Sequence, residues 1–134
     1  MPNSSLSLQK AIVARLRADS AVTALVGTKV FDMPNENTFP RITLGEDQIL
    51  FSRADCYLGE DVNITIHAWS RAVGFPEVKR IAGAIQAALH EAELTLDGYR
   101  LVDLSVDDVR FLRDADGLSS HAVLNFTALC EPID

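Results

Sequence analysis

The sequence predicts an α+β domain: a twisted, mainly antiparallel sheet of four to five strands, with an N-terminal helix and a central helix packed on one face. Three observations predict it. Val62, Ile64, Ile66 and Ala68 alternate with Asn63, Thr65, His67 and Trp69, the two-residue period of a strand buried on one side. Beyond Gly74, Val78, Ile81, Ala82, Ile85, Ala88, Leu89 and Ala92 fall on one helical stripe, with Pro76 in the first turn where its missing N–H is not needed. Asp97-Gly98 then separates Leu94-Thr95-Leu96 from Tyr99-Arg100-Leu101-Val102, a strong hairpin signal because a type I′ turn needs positive φ at both central residues. Strand and central helix each carry one apolar face, and each buries it against the other.

The remaining elements follow in order. A helix is expected from an N-cap at Ser5 to about Ala18, burying Leu8, Ala11, Ile12 and Leu16. One or two further helical turns span Ala21 to Val26 and stop at Gly27. Lys29 to Asp32 predicts a short strand before the Pro34 to Asn37 loop. Arg41-Ile42-Thr43-Leu44 opens a longer strand whose alternation breaks at Gly45, a bulge position. Arg53 to Gly59 reads as the polar tip of the hairpin that returns through Val62. The strand from Tyr99 runs towards Leu112, Asp114 to Gly117 reverses it, and Ala122, Leu124, Phe126, Ala128 and Cys130 form the buried side of the last strand, ended by Pro132. The passage through the central helix is long enough for a crossover and allows one parallel pairing. Residues 1–134 read as a single domain.

Composition narrows the function classes. A formal charge of −7 and a pI near 4.8 argue against specific nucleic-acid binding, which needs clustered Lys and Arg. No apolar stretch approaches the roughly 20 residues of a membrane span, and no basic-then-apolar N-terminus predicts a signal peptide. Cys56 and Cys130 are too few for a disulfide framework and read as reduced thiols.

Catalytic, cofactor and metal assignments come out as none. His67, His90 and His121 stand at no metal-ligand spacing from one another or from the cysteines. Asp114-x-Asp116-Gly117 lacks the remaining ligands of a calcium loop and reads as a turn. Asp107 and Asp108, adjacent on a strand, are expected to point to opposite faces.

Surface made for protein contact stands out instead. Ile49-Leu50-Phe51 puts apolar groups on both sides of a strand, which predicts either a twisted, doubly covered strand or a β-arm reaching a partner subunit. On the outward side of the central helix, Gly83, Ala84 and Ala87 stand where a solvated helix carries charge, and Gly83 costs about 1 kcal/mol of helix propensity against alanine. Ile49, Leu50, Phe51, Gly83, Ala84 and Ala87 are therefore the candidate interface of a homo-oligomer.

An ordered set of segments carries a family resemblance. It comprises Ala11 to Gly27 with Val30-Phe31-Asp32 and Phe39-Pro40; His67-Ala68-Trp69-Ser70-Arg71, Gly74 and the helix Glu77 to Ala92; Ala88-Leu89-His90-Glu91-Ala92 with Leu94 to Val102; and Leu112 to Gly117 with the strand ending in Ala128 to Glu131. Together they resemble the phage tail completion (tail terminator) proteins, in the branch found in tailed-phage, prophage and gene-transfer-agent clusters. No single motif among them is catalytic or unique. The resemblance implies a structural virion protein, assembled in the bacterial cytoplasm, that caps the head-proximal end of the tail tube as a hexameric ring. Its implied partners are further copies of itself, the tail tube protein and a head-side neck or connector protein, with no cofactor, no membrane and no specific nucleic acid. Another neck or minor tail component is the nearest rival. An enzyme or ligand-binding domain, using His67, Cys56 and Asp107-Asp108, is the more distant one.

Overall fold

The computed structural model describes residues 3–32, 38–54 and 57–133, with the backbone alone at 52–54 and 57–58. Cys56, at the hairpin tip, lies outside the described residues. The chain runs α1 (Ser4–Ala18), α2 (Ser20–Val26), β1 (Val30–Phe31), β2 (Arg41–Ala54), β3 (Tyr57–Ser70), α3 (Pro76–Leu89), β4 (Thr95–Leu96), β5 (Tyr99–Arg113) and β6 (Ser120–Pro132).

α1 begins one residue before the expected cap. Asn3 is the N-cap, its Oδ1 accepting the Leu6 N–H at 2.8 Å, so Ser5 falls inside the helix. Asp19 then separates two helices: its N–H donates to Arg15 O, while its Oδ1 accepts the N–H groups of Ala21 and Val22 at 3.0 Å each. Gly27, at φ +62°, ends α2. α3 starts at Pro76 and stops at Leu89, which leaves Ala92 beyond the helix, half-buried, rather than on its stripe. Glu77 sits in the first turn, favourable to the helix dipole, and accepts the Ser70 hydroxyl at 2.7 Å.

Among the described residues the sheet has six strands in the order β1-β2-β3-β6-β5-β4, against the four to five expected. β1 and β4, two residues each, fall where the short strand at Lys29 to Asp32 and the first side of the Asp97-Gly98 hairpin are expected, so the difference lies in the count and not in the elements. β1 pairs parallel with β2, and the other four pairings are antiparallel. The parallel pair therefore does not arise through α3, whose chain crosses from β3 to β4 on the far edge. The β2–β3 hairpin also has a shorter tip than expected, since pairing persists to Ala54 opposite Tyr57.

α1 and α3 pack on one face, over β1 to β4 and over β3, β5 and β6 respectively, and α2 packs on both helices. Between the layers lie Leu8, Ile12 and Leu16 of α1, Val62, Ile64, Ile66 and Ala68 of β3, the α3 stripe, and Ala122, Leu124, Phe126, Ala128 and Cys130 of β6, all buried. Cys130 is an inert thiol, pushed up to about 11 chiefly by burial.

Candidate functional site

Among the described residues no helix covers the second face of the sheet. The register places Arg41 and Thr43 of β2, Trp69, His67 and Thr65 of β3, His121, Val123 and Asn125 of β6, and Arg110 and Leu112 of β5 on that face. They line a groove of about 590 Å³. The register of β2 against β3 shifts between Leu44 and Asp47, the expected bulge at Gly45. A Cβ built on Gly45 would stand 2.7 Å from His67 Nε2 and 2.9 Å from Thr65 O, so only glycine lets β2 cross the histidine there.

A stack of cations and rings runs into this groove from the adjoining pocket of Phe39 and Arg71. The Arg71 guanidinium lies 4.3 Å from the Phe39 ring centre, and Arg41 lies 4.5 Å from Phe39 and 4.9 Å from Trp69. Trp69 stacks on His121 with centroids 3.7 Å apart and planes 11° from parallel, and His121 is followed by His67 at 4.9 Å. The imidazoles share a 2.7 Å contact between His67 Nδ1 and His121 Nε2, one nitrogen donating and the other accepting. Burial pushes His121 down to about 4, with His67, Arg41 and Arg110 adding to the effect and Asp114 opposing it. His67 is lowered by burial, against the pull of Glu46. Both rings are neutral at pH 7 and form a mutual hydrogen bond. No cluster of three or more His, Cys, Asp or Glu able to hold a metal exists among the described residues.

The histidine pair makes the fold acid-sensitive. In the unfolded chain both groups titrate near 6.5. A folded value near 4 for His121 means that its contribution is complete above pH 6.5 and is lost as the pH falls towards 4. The thermal midpoint is expected to hold between pH 7 and 8, then fall steadily from pH 6.5 to 4, with a flatter profile in His121→Gln. Equal slopes in both proteins would exclude the pair as the cause.

Asp107 and Asp108 correct an expectation. A second register shift, between Val106 and Asp108, turns both carboxylates to the open face. There Asp107 Oδ2 accepts the Thr127 hydroxyl at 2.5 Å and Asp108 Oδ1 accepts Asn125 Nδ2 at 2.8 Å. Each is tied into a cross-strand polar row, with Asn125 also accepting the Thr65 hydroxyl at 2.7 Å.

The two ends of the strands differ. At one end the loop after β3 is stitched to the β5–β6 turn: Ser120 Oγ donates to Gly74 O at 3.0 Å, and Arg71 pairs with Asp116. Asp116 accepts the N–H groups of Leu118 and Ser119 and the Ser119 hydroxyl, and these bonds hold its carboxyl down at about 2. The stitched turns present Val73, fully exposed, and Leu118, 69% exposed. Beside them Lys79 lies 5.3 Å from the Phe111 ring and Arg113 lies 4.7 Å from Phe75. At the other end β2 and β3 carry Leu50 opposite Asp61 and Phe51 opposite Glu60.

The six candidate interface residues lie on two elements. Ile49 is half-buried against the core, opposite Val62, whereas Leu50 and Phe51 are 47% and 70% exposed, so the strand is not doubly covered within this chain. On α3, Gly83 and Ala87 are exposed, while Ala84 is half-buried and packs against the core instead of facing outward. A Cβ at Gly83 would meet nothing within 4 Å. Gly83→Ala is therefore expected to stabilise the isolated chain by about 0.5–1 kcal/mol in a denaturant titration; a loss of stability would reveal strain at that turn.

Among the described residues of this small α+β protein, an open sheet face and apolar side chains exposed at the strand ends are the features that stand out. Comparison gives the family. The family model described as "Tail completion protein gp17" matches residues 10–131, and the chain belongs to that family. It is similar to a chain in the virion of a native gene transfer agent particle at 29% identity, with a TM-score of 0.89 over 98% of this chain and 99% of that one. It shares its fold with bacteriophage SPP1 gp17 at 20% identity and a TM-score of 0.61, over 98% and 91% of the two chains. No curated protein matches it by sequence. The family that the sequence resembled is the family to which it belongs.

Proposed function

We propose that this chain is a structural protein of a phage-like tail, which caps the head-proximal end of the tail tube, ends its growth and forms part of the head–tail junction. One observation carries the proposal: the end-to-end likeness, over 98% of this chain and 99% of the other, to a chain of a gene transfer agent virion. The family match over residues 10–131 points the same way. In this role the protein works as a hexameric ring, with the tail tube protein on one side and a head-side neck or connector protein on the other. It acts through contact, without a cofactor, membrane or catalytic step. A net charge of −7 suits a ring through which DNA slides, because like charge weakens contact with phosphates.

The test is tube growth. The purified chain is added to polymerising tail tube protein from the same gene cluster, and tube lengths and ends are measured by electron microscopy. Shortened tubes bearing a ring at one end are expected. Tubes that elongate unchanged, with bare ends, would overturn the assignment.

A further inference from the structure

The two strand ends of this molecule are complementary to each other. The β2–β3 arm presents Leu50 and Phe51 among Asp47, Glu60 and Asp61. The opposite end presents Phe111, 37% exposed, with Leu118 and Val73, among Arg71, Lys79, Arg110 and Arg113. Glu77, Asp114 and Asp116 lie at the same end, Asp116 paired with Arg71 and Glu77 bonded to Ser70, which leaves Lys79, Arg110 and Arg113 as its outward cations. In a chain of net charge −7, this end gathers four of the twelve Lys and Arg residues.

The sheet edges agree. Among the described residues β1 covers β2 only at Ile42 and Thr43, and β4 covers β5 only at Tyr99 and Arg100. Further along β5, the Glu91 N–H donates to Leu104 O at 2.7 Å and the Val106 N–H donates to His90 Nδ1 at 3.2 Å, so the segment after α3 caps that stretch. The stretches past the bulges, 47–54 of β2 and 108–113 of β5, have no further strand beside them among the described residues. β2 and β5 run in opposite directions, since three antiparallel pairings separate them. A second copy, related by rotation without being turned over, therefore brings its β5 edge antiparallel to β2. Faces also match: Leu50, Asp61, Arg110 and Leu112 share the open face, while Phe51 and Phe111 share the helix face. The two stretches occupy opposite halves of the strands, so the pairing is stepped, and closing it into a ring tilts the strands as in a closed barrel.

We propose that the β2–β3 arm of one copy docks on the Phe111–Leu118 end of the next, with the free edges of β2 and β5 running side by side and the long Arg110 side chain reaching over Leu50 to Asp61. The contact is heterologous, the kind that propagates around a ring. It rests on the ring reading above only in requiring self-association. A rim charge sets association rate and partner choice more than fold, so swapping one sign weakens the contact without unfolding the subunit.

The experiment is a charge swap read by light scattering over a wide concentration range at low salt, with thermal melts to establish folding. Wild type is expected to associate. Asp61→Arg alone or Arg110→Asp alone should raise the half-association concentration by about tenfold or more. The double variant, or an equal mixture of the two single variants, should restore it to within about threefold, because each reversed group then meets its opposite. Association of wild type that neither single swap alters would overturn the pairing while leaving the ring reading standing. Single swaps that both weaken association, with no rescue in double variant or mixture, would also overturn it. Wild type that stays monomeric at every concentration would overturn the pairing, and tube-end capping would then be judged by the growth assay alone.

Discussion

Phe126→Ala is expected to cost about 3–5 kcal/mol of folding stability. Phe126 is 1% exposed and sits on β6, between Ile64 of β3 and Val106 of β5, on the face covered by helices. Its ring is among the largest fully buried side chains, and its neighbours belong to three strands that pair along most of their length. They are held by ladder hydrogen bonds and close only partly over the vacated volume. The cost is thus the lost transfer free energy plus a residual cavity. For a marginally stable domain this is a large part of the total. Urea titration should show a lower midpoint with an unchanged slope; a midpoint shift worth less than about 1.5 kcal/mol would mean that the core collapses into the space.

Gly45→Val is expected to cost about 2 kcal/mol or more, for a different reason. The first atom of any side chain at position 45 falls 2.7 Å from His67 Nε2, 2.8 Å from His67 Cδ2 and 2.9 Å from Thr65 O. His67 has little freedom to retreat, because its other nitrogen is bonded to His121 at 2.7 Å and its ring lies in the stack with Trp69 and His121. Thr65 O is backbone of the central hairpin. The bulge must open or the histidine pair must break. The thermal midpoint should drop by several degrees, and the acid slope between pH 6.5 and 4 should flatten if the pair is what breaks. An unchanged midpoint would mean that the bulge relaxes at no cost. Gly83→Ala is the contrasting control, since the same added methyl at 83 meets open space.

Much of this architecture was legible because its cues are local. The β3 alternation, the α3 stripe, the stop at Gly27, the bulge at Gly45 and the turn at Asp97-Gly98 each rest on residues within a few positions of one another. What escaped was made by pairing across distance. His67 and His121 read as unrelated histidines, because the contact between them depends on the β3–β6 register, in which Trp69 lies opposite His121 and His67 opposite Val123. Strict alternation puts Asp107 and Asp108 on opposite faces, and the β5 bulge reverses that. Helical spacing alone turns Ala84 outward, yet α3 is packed on from both sides, by the sheet and by α2, and a wider arc of the helix is covered.

Sequence by itself determined which segments are helix or strand, which face of each is apolar, and the family, since these follow from periodicity, caps, turns and an ordered set of residues along the chain. Tertiary structure decided the strand order, the buried histidine pair, the charge difference between the two ends and the edges left open. Those depend on which strands become neighbours and in what register, and the free energy that selects a register is spread over the whole core.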